Sequence, residues 1–317
     1  MTASDRMEVF QMRLRKILLL SGCAVLLCVC VLQCVAAARD SAKVFEIDSE
    51  PDEILIDNAG SVVKLVQQDG KWFVGERLYP ANESSVDSIK NSLMKITALD
   101  KVGKLSDDSV MSRYDLGETK RINVTAKAGG EILRSVSVGK ASSTGAQSYV
   151  VFDGGNDIYL VSGNLNSEFS KTVEELRSKI VYKTEADGIS SVSVTDFTGG
   201  TEKTWSVSRS GSGEDTVWNF SGDEVQVDPV KASDWFRSVS ALSIAAWLGE
   251  DEAVSGTRQY SVRISSTDEI LLDIYHVPEN DGESEYYYGS CSSTPYKFKV
   301  PGYVVQKFQK NPGDFEK

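Results

Sequence analysis

At 317 residues, 41% apolar and 25% charged, the chain is long enough for two domains with cores of their own and too apolar to be disordered. Its formal charge is −12, and residues 1–38 carry Arg6, Arg13, Arg15 and Lys16 against Asp5 and Glu8, so the remainder stands at −14. A body that acidic argues against nucleic acid as a partner, since such binding needs clustered Lys and Arg, and against docking flat on anionic lipid.

Residues 1–16 read as a cytoplasmic tail and residues 17–38, ILLLSGCAVLLCVCVLQCVAAA, as a transmembrane anchor. This run has no charge, and at ~1.5 Å per residue it is long enough for ~30 Å of hydrocarbon. RLRK precedes it, so the positive-inside rule keeps the N-terminus in the cytoplasm and sends the body out. A cleaved signal segment is the competing reading: VAAA resembles a cleavage site, but the run exceeds the usual apolar core of ~7–15 residues. A third reading is lipidation at Cys23, because Leu20-Ser21-Gly22-Cys23 fits a lipobox, although apolar residues continue beyond it. Cys23, Cys28, Cys30 and Cys34 all lie in this run as small apolar filler. Cys291 stands alone in the body and can form no internal disulfide there.

The body opens with two β-like runs, ILID and VVKLV, followed by DGKWFVGERLYPANESSVDSIKNSLMKI at 69–96. The Asp-Gly turn and GKWFV predict a hairpin. Asn82 is a helix N-cap type, and Val86, Ile89, Leu93 and Ile96 form one stripe of the helix it starts. Trp72 is expected beneath that helix. RINVTAKAGGEILRSVSVG (121–139) and SYVVFDGGNDIYLV (148–161) predict two more hairpins. Residues 164–181 predict a capped helix with Leu165, Phe169, Val173, Leu176 and Ile180 on one side.

The pattern then recurs. Trp218 lies 146 residues after Trp72, and at the same spacing Asp228 meets Asn82, Ala232 meets Val86, Trp235 meets Ile89, Val239 meets Leu93 and Leu242 meets Ile96. Pro229 falls at the first helical position, where its missing N–H costs nothing. VSV and TWSVSR precede this block. QYSVRISSTDEILLDIYHV (259–277) and EYYYGSCSSTPYKFKV (285–300) follow it, and PGYVVQKFQKNPGDFE closes the second half as a shorter, frayed counterpart of 164–181. The expected fold class is α+β: an N-terminal transmembrane helix, then two tandem repeats, 43–183 and 187–317, each an antiparallel β-sheet packed with one or two helices. Trp72, Trp218, Leu93 and Val239 are the expected structural core.

No catalytic, cofactor or metal residues are predicted. The one histidine, His276, ends a predicted strand and reads as structural or solvated. There is no Cys cluster or His pair for zinc, no phosphate-binding glycine loop ahead of a helix, and no nucleophile elbow. RSGSG (209–213) joins two strands. The acidic loop Glu279-Asn280-Asp281-Gly282-Glu283 lacks calcium-loop spacing and reads as a solvated turn. EYYYG places Tyr286 and Tyr288 on one strand face and Tyr287 on the other, leaving either a partner surface or partial core.

GKWFV, the capped helix to Ile96, RYDLG (113–117) before RINV, VSVG (136–139), SYVVF with DIYLV, and LRSKIV (176–181) together resemble a bacterial family of membrane-anchored, internally duplicated proteins. It is a domain-of-unknown-function family encoded beside gliding-motility-type ABC transporter subunits. The resemblance covers about residues 43–250 and the anchor. The family pattern has Tyr-Gly-Leu where this chain has Tyr114-Asp115-Leu116. The resemblance implies a non-enzymatic accessory protein in the bacterial inner membrane, its body facing the periplasm or cell exterior and partnered by an ABC permease. It supplies no active site and no cofactor. The alternative expectation is an envelope ligand-binding module, for a glycan or peptide, using the cleft between the repeats. A carboxylate-based hydrolase is the one enzyme class that the residues permit.

Overall fold

Apolar residues recur at every second position between Gly-, Asp- and Asn-rich turns, so most of the regular structure among the described residues is antiparallel β-sheet, with a few short helices. The computed structural model describes residues 21–22, 26–31, 42–211, 213–221, 225–249, 255–278 and 285–317. The chain divides into two units, Met1–Leu176 and Arg177–Lys317.

The first unit contains β1 (Lys43–Glu46), β2 (Glu53–Asn58), β3 (Ser61–Gln68), β4 (Lys71–Val74), β5 (Tyr79–Pro80), α1 (Glu83–Met94), β6 (Lys95–Lys104) and α2 (Asp108–Arg113). It continues with β7 (Ile122–Ala128), β8 (Glu131–Ala141), β9 (Gln147–Phe152), β10 (Asp157–Ser162), α3 (Leu165–Phe169) and α4 (Val173–Leu176). Its ten strands lie in the order β1-β6-β10-β9-β8-β7-β2-β3-β4-β5. Asp69 and Gly70 both take positive φ, 49° and 78°, as the tight β3–β4 turn requires. Asn82 Oδ1 accepts from Ser85 N at 3.0 Å and starts α1, which buries Val86, Ile89 and Leu93. Those side chains pack with Trp72, Ile54, Leu65, Val124 and Val136. On the opposite sheet face, α2 and the turn after it lay Val110, Met111, Tyr114 and Leu116 over Val151 and Ile158.

The second unit contains β11 (Ile180–Lys183), β12 (Ser191–Asp196), β13 (Lys203–Ser210), β14 (Val217–Ser221), α5 (Pro229–Val239), β15 (Ala241–Ser243) and β16 (Ala246–Trp247). β17 (Thr257–Ser265), β18 (Glu269–Val277), β19 (Tyr286–Cys291), β20 (Thr294–Val300) and α6 (Gly302–Val305) complete it. Eight strands run β14-β13-β12-β17-β18-β19-β20-β16, and β11 pairs with β15. This is the strand order of the first unit, with long β6 replaced by the broken pair β15 and β16 and with no strand among the described residues in the place of β5. The agreement reaches single bonds. Asn82 N donates to Leu176 O and Asp228 N to Phe315 O, each at 2.7 Å. Thr172 and Glu175 form a reciprocal cap, and Asn311 and Asp314 form another 139 residues later.

Four expectations change. Ile96 and Leu242 belong to strands β6 and β15 rather than to the helix stripe, yet both stay in the core at 2% and 1% exposure. Lys95 turns extended (φ −136°) and ends α1, and Ile-Thr then continue as β-branched strand formers. The helix expected over 164–181 is two short helices, interrupted where Thr172 caps α4, and Ile180 lies 50% exposed on β11. Because β11 pairs with β15, residues 177–183 join the second unit. The C-terminal segment is not frayed: Val304, Val305, Phe308 and Phe315 are buried at 1–2% exposure. Of the expected anchor 17–38, only 21–22 and 26–31 are described, and they are helical; residues 17–20, 23–25 and 32–38 lie outside the described residues, and Cys23 with them. No helix among the described residues is long and apolar enough to cross a membrane.

Candidate functional site

Strand β13 alternates, so Trp205, Val207 and Arg209 share the core-ward face while the serines between them face out. Arg209 stands opposite Trp218 on β14. A guanidinium turned inward must be paired. Its Nη2 donates to Ala186 O at 3.2 Å and to Asp187 O, and Nη1 lies 3.7 Å from Asp187 Oδ1. The group also sits 5.9 Å from the Trp218 ring centre and 6.0 Å from that of Phe236, within cation–π range.

Two cavities open on this arginine, both within the second unit. One, of about 290 Å³, is lined by Glu185, Asp187, Ser233, Phe236 and Arg237 beside it. The other, of about 660 Å³, runs from Asp187 along Ser190, Gly211 and Thr216. Their shared wall is Asp187 and Arg209. The lining offers charges of both signs, hydroxyls and backbone groups, which suits holding a polar ligand.

The corresponding corner of the first unit is built differently. Gln67 stands opposite Trp72, and the cation comes from α1 instead. Lys90 Nζ lies 3.1 Å from Glu50 and 3.3 Å from Asp87. The hydrogen bond to Glu50, and then the one to Asp87, hold its pKa above the ordinary lysine value despite partial burial. Lys90 and Phe236 are 146 residues apart, so the positive charge moves from helix to strand between the units while an acidic partner, Glu50 or Asp187, remains.

Of the residues singled out by sequence, Trp218 borders this site and the others fall elsewhere. Trp72 (8% exposed) and Leu93 (0%) lie in the first core, and Val239 (1%) in the second. Trp218 is only half-buried, edge-on to Phe236 at 4.9 Å. His276 Nε2 lies 3.2 Å from Glu285 Oε2, and its ring tilts against Tyr287 at 5.2 Å. Tyr287 packs against the core; Tyr288 is buried, stacked flat on Tyr275 at 4.7 Å, and Lys299 Nζ sits 4.6 Å over Tyr286. The acidic loop at 279–283 lies outside the described residues. No cluster of three or more His, Cys, Asp or Glu that could hold a metal occurs among the described residues. In sequence Arg209 reads only as the first residue of RSGSG (209–213), a link between two strands, and so its role was missed; Gly211 and Gly213 of that run also line the second cavity. A further signal was Gln67 at the corresponding place in the first half.

No curated protein and no solved structure matches the chain. A family model described as a domain of unknown function (DUF4340) matches residues 72–260, more than half of the chain. That span starts at Trp72 itself and runs through Arg209 to the middle of β17. The protein belongs to this DUF4340 family.

Proposed function

We propose that the protein is a non-enzymatic accessory protein, held in the bacterial cytoplasmic membrane by residues 17–38, with its body on the periplasmic or outer side and in association with an ABC-type transporter. One observation carries the anchor. The helical residues 26–31 expose Leu26 by 67%, Leu27 by 65% and Val31 by 56%. Apolar helix surface that the body does not cover is stable in lipid and unstable in water. The basic residues before this run support the orientation. The transporter association draws on the resemblance set out above. The shared strand order supports reading the body as one duplicated scaffold, its second copy starting at β11.

The test is extraction followed by purification. The full chain is expected to stay in the membrane pellet through alkaline carbonate and to co-purify with an ABC permease in mild detergent. Release by carbonate would remove the anchor; recovery of the chain alone from detergent would remove the association.

A second reading, a periplasmic ligand-binding module for a glycan or peptide, draws on the cavities around Arg209. Calorimetric titration of the protein with peptidoglycan fragments tests it, and loss of any binding heat in Arg209→Gln locates it.

A further inference from the structure

An exposed sheet edge invites an added strand, and proteins blunt such edges with charge, proline or shortness. Among the described residues, β1 carries Lys43 and Glu46, β5 carries Pro80, β11 carries Lys183, β15 has three residues and β16 two. β14, Val-Trp-Asn-Phe-Ser, has five residues, no charge and no proline, and among the described residues it pairs with β13 alone.

The first unit shows what this edge accepts. There β4 corresponds to β14, and its outer side is occupied by the chain itself. Phe73 pairs with Pro80, Val74 pairs with Tyr79, and Ala81 N donates to Trp72 O at 2.9 Å. In the second unit the positions of Tyr79 and Pro80 are Val225 and Gln226. Gln226 and Val227 are drawn to the C-terminus instead: Gln226 O accepts from Lys317 N at 3.3 Å, and Val227 bridges to Glu316. The side chains differ in the same sense. Val63, Trp72 and Val74 are buried in the first unit. Their counterparts Trp205, Trp218 and Phe220 are only partly buried, with Val217 55% and Val230 67% exposed beside them.

We propose that β14 receives an extended segment of a partner protein, apolar and bearing an aromatic residue or proline, as an added antiparallel strand. Backbone hydrogen bonds to Trp218 and Phe220 supply the pairing, and the exposed part of Trp205, Trp218 and Phe220 takes the partner's side chains. This surface is independent of the transporter reading and holds whichever partner the body contacts.

The probe is a peptide with the sequence of residues 75–81, GERLYPA, added to the full chain in detergent, with hydrogen exchange read by mass spectrometry. Exchange at residues 217–221 should slow several-fold and saturably. It should not slow with the control peptide GESKSGA, which lacks the Leu, Tyr and Pro, nor in Asn219→Pro; Val217→Lys serves as a second edge block should the proline variant misfold. Unchanged exchange at 217–221 up to the peptide's solubility limit would overturn the proposal. Protection that grows with protein concentration without peptide would also overturn it, by assigning the edge to a second copy of the chain.

Discussion

Arg134 donates from Nη1 to the carbonyl oxygen of Leu93 at 2.7 Å, and so satisfies a backbone group at the end of α1 that the helix cannot. The same nitrogen reaches Phe45 O at 3.1 Å. In the second unit the carbonyl of Val239, 146 residues after Leu93, accepts from the Tyr182 hydroxyl at 3.1 Å. Through their strand partners Tyr182 corresponds to Phe45 and Ile270 to Arg134. One unit solves the problem with Phe and Arg, the other with Tyr and Ile. Arg134→Ile should therefore cost the first unit about 2–3 kcal/mol, by leaving buried carbonyls unpaired. The double variant Phe45→Tyr/Arg134→Ile should regain at least half of that. Urea denaturation read by hydrogen exchange in each unit measures it, and a double variant no better than the single one would refute the correspondence.

Trp72 and Trp218 occupy matching strand positions but are buried to different degrees. Trp72→Ala empties a closed core and should cost about 3–5 kcal/mol. Trp218 keeps part of its ring in solvent and covers Phe236, so Trp218→Ala should cost about half as much, in proportion to the area it buries. Equal losses in the two variants, followed by the same unit-resolved denaturation, would show that Trp218 is as enclosed as Trp72.

The hairpins and the two capped helices were legible because each rests on a local signal: period-two alternation, turn residues, an N-cap and a stripe at Val86, Ile89 and Leu93. Arg134 was not. Alternation back along β8 from Val138 and Val136 puts Arg134 on the inner face, where it ends 4% exposed, but residue type argues for a solvated side chain near the strand end. What neither type nor period declares is its acceptor, the carbonyl of Leu93, 41 residues away in the chain. β1 and α2 were missed for another reason: at four and six residues they are too short for periodicity to declare them. The position of Arg209 depended on comparing the two halves strand by strand, which needs the register before the loops can be aligned.

Asp115 takes a left-handed φ of 57°. Short polar residues tolerate that region and glycine prefers it. The turn it makes carries Tyr114 onto Tyr149, with ring centres 4.0 Å apart, and places Leu116 in the outer cluster. A methyl group at Gly139 would overlap the Tyr114 carbonyl, so the turn lies directly on the strand. Asp115→Gly should leave stability unchanged or raise it by up to about 1 kcal/mol, whereas Asp115→Val should cost about 1–2 kcal/mol through backbone strain. The exposed contact to Lys120 lost in both contributes little. Thermal melts of the two variants decide this, and a glycine variant as unstable as the valine one would place the cost in the lost side chain and not in the backbone.

Glu53 joins three neighbouring strands at the middle of the first sheet. It accepts from Lys127 on β7 at 2.8 Å and lies 3.0 Å from Lys64 on β3. The hydrogen bond from Lys127, and then that from Lys64, hold its carboxyl below the ordinary glutamate value of 4.5. A group whose folded pKa is depressed contributes stability that is fully present above the unfolded pKa and is lost as pH falls through the folded one. Glu53→Gln should therefore be less stable than wild type at neutral pH, with the first unit opening earlier. The gap should hold down to about pH 4.5 and close below it, as the wild-type carboxyl takes up its proton and loses both lysines. Melting temperatures of the two proteins across that range measure the effect. A gap that persisted unchanged into strong acid would mean that Glu53 acts through packing of its stem between β3 and β7, not through its charge.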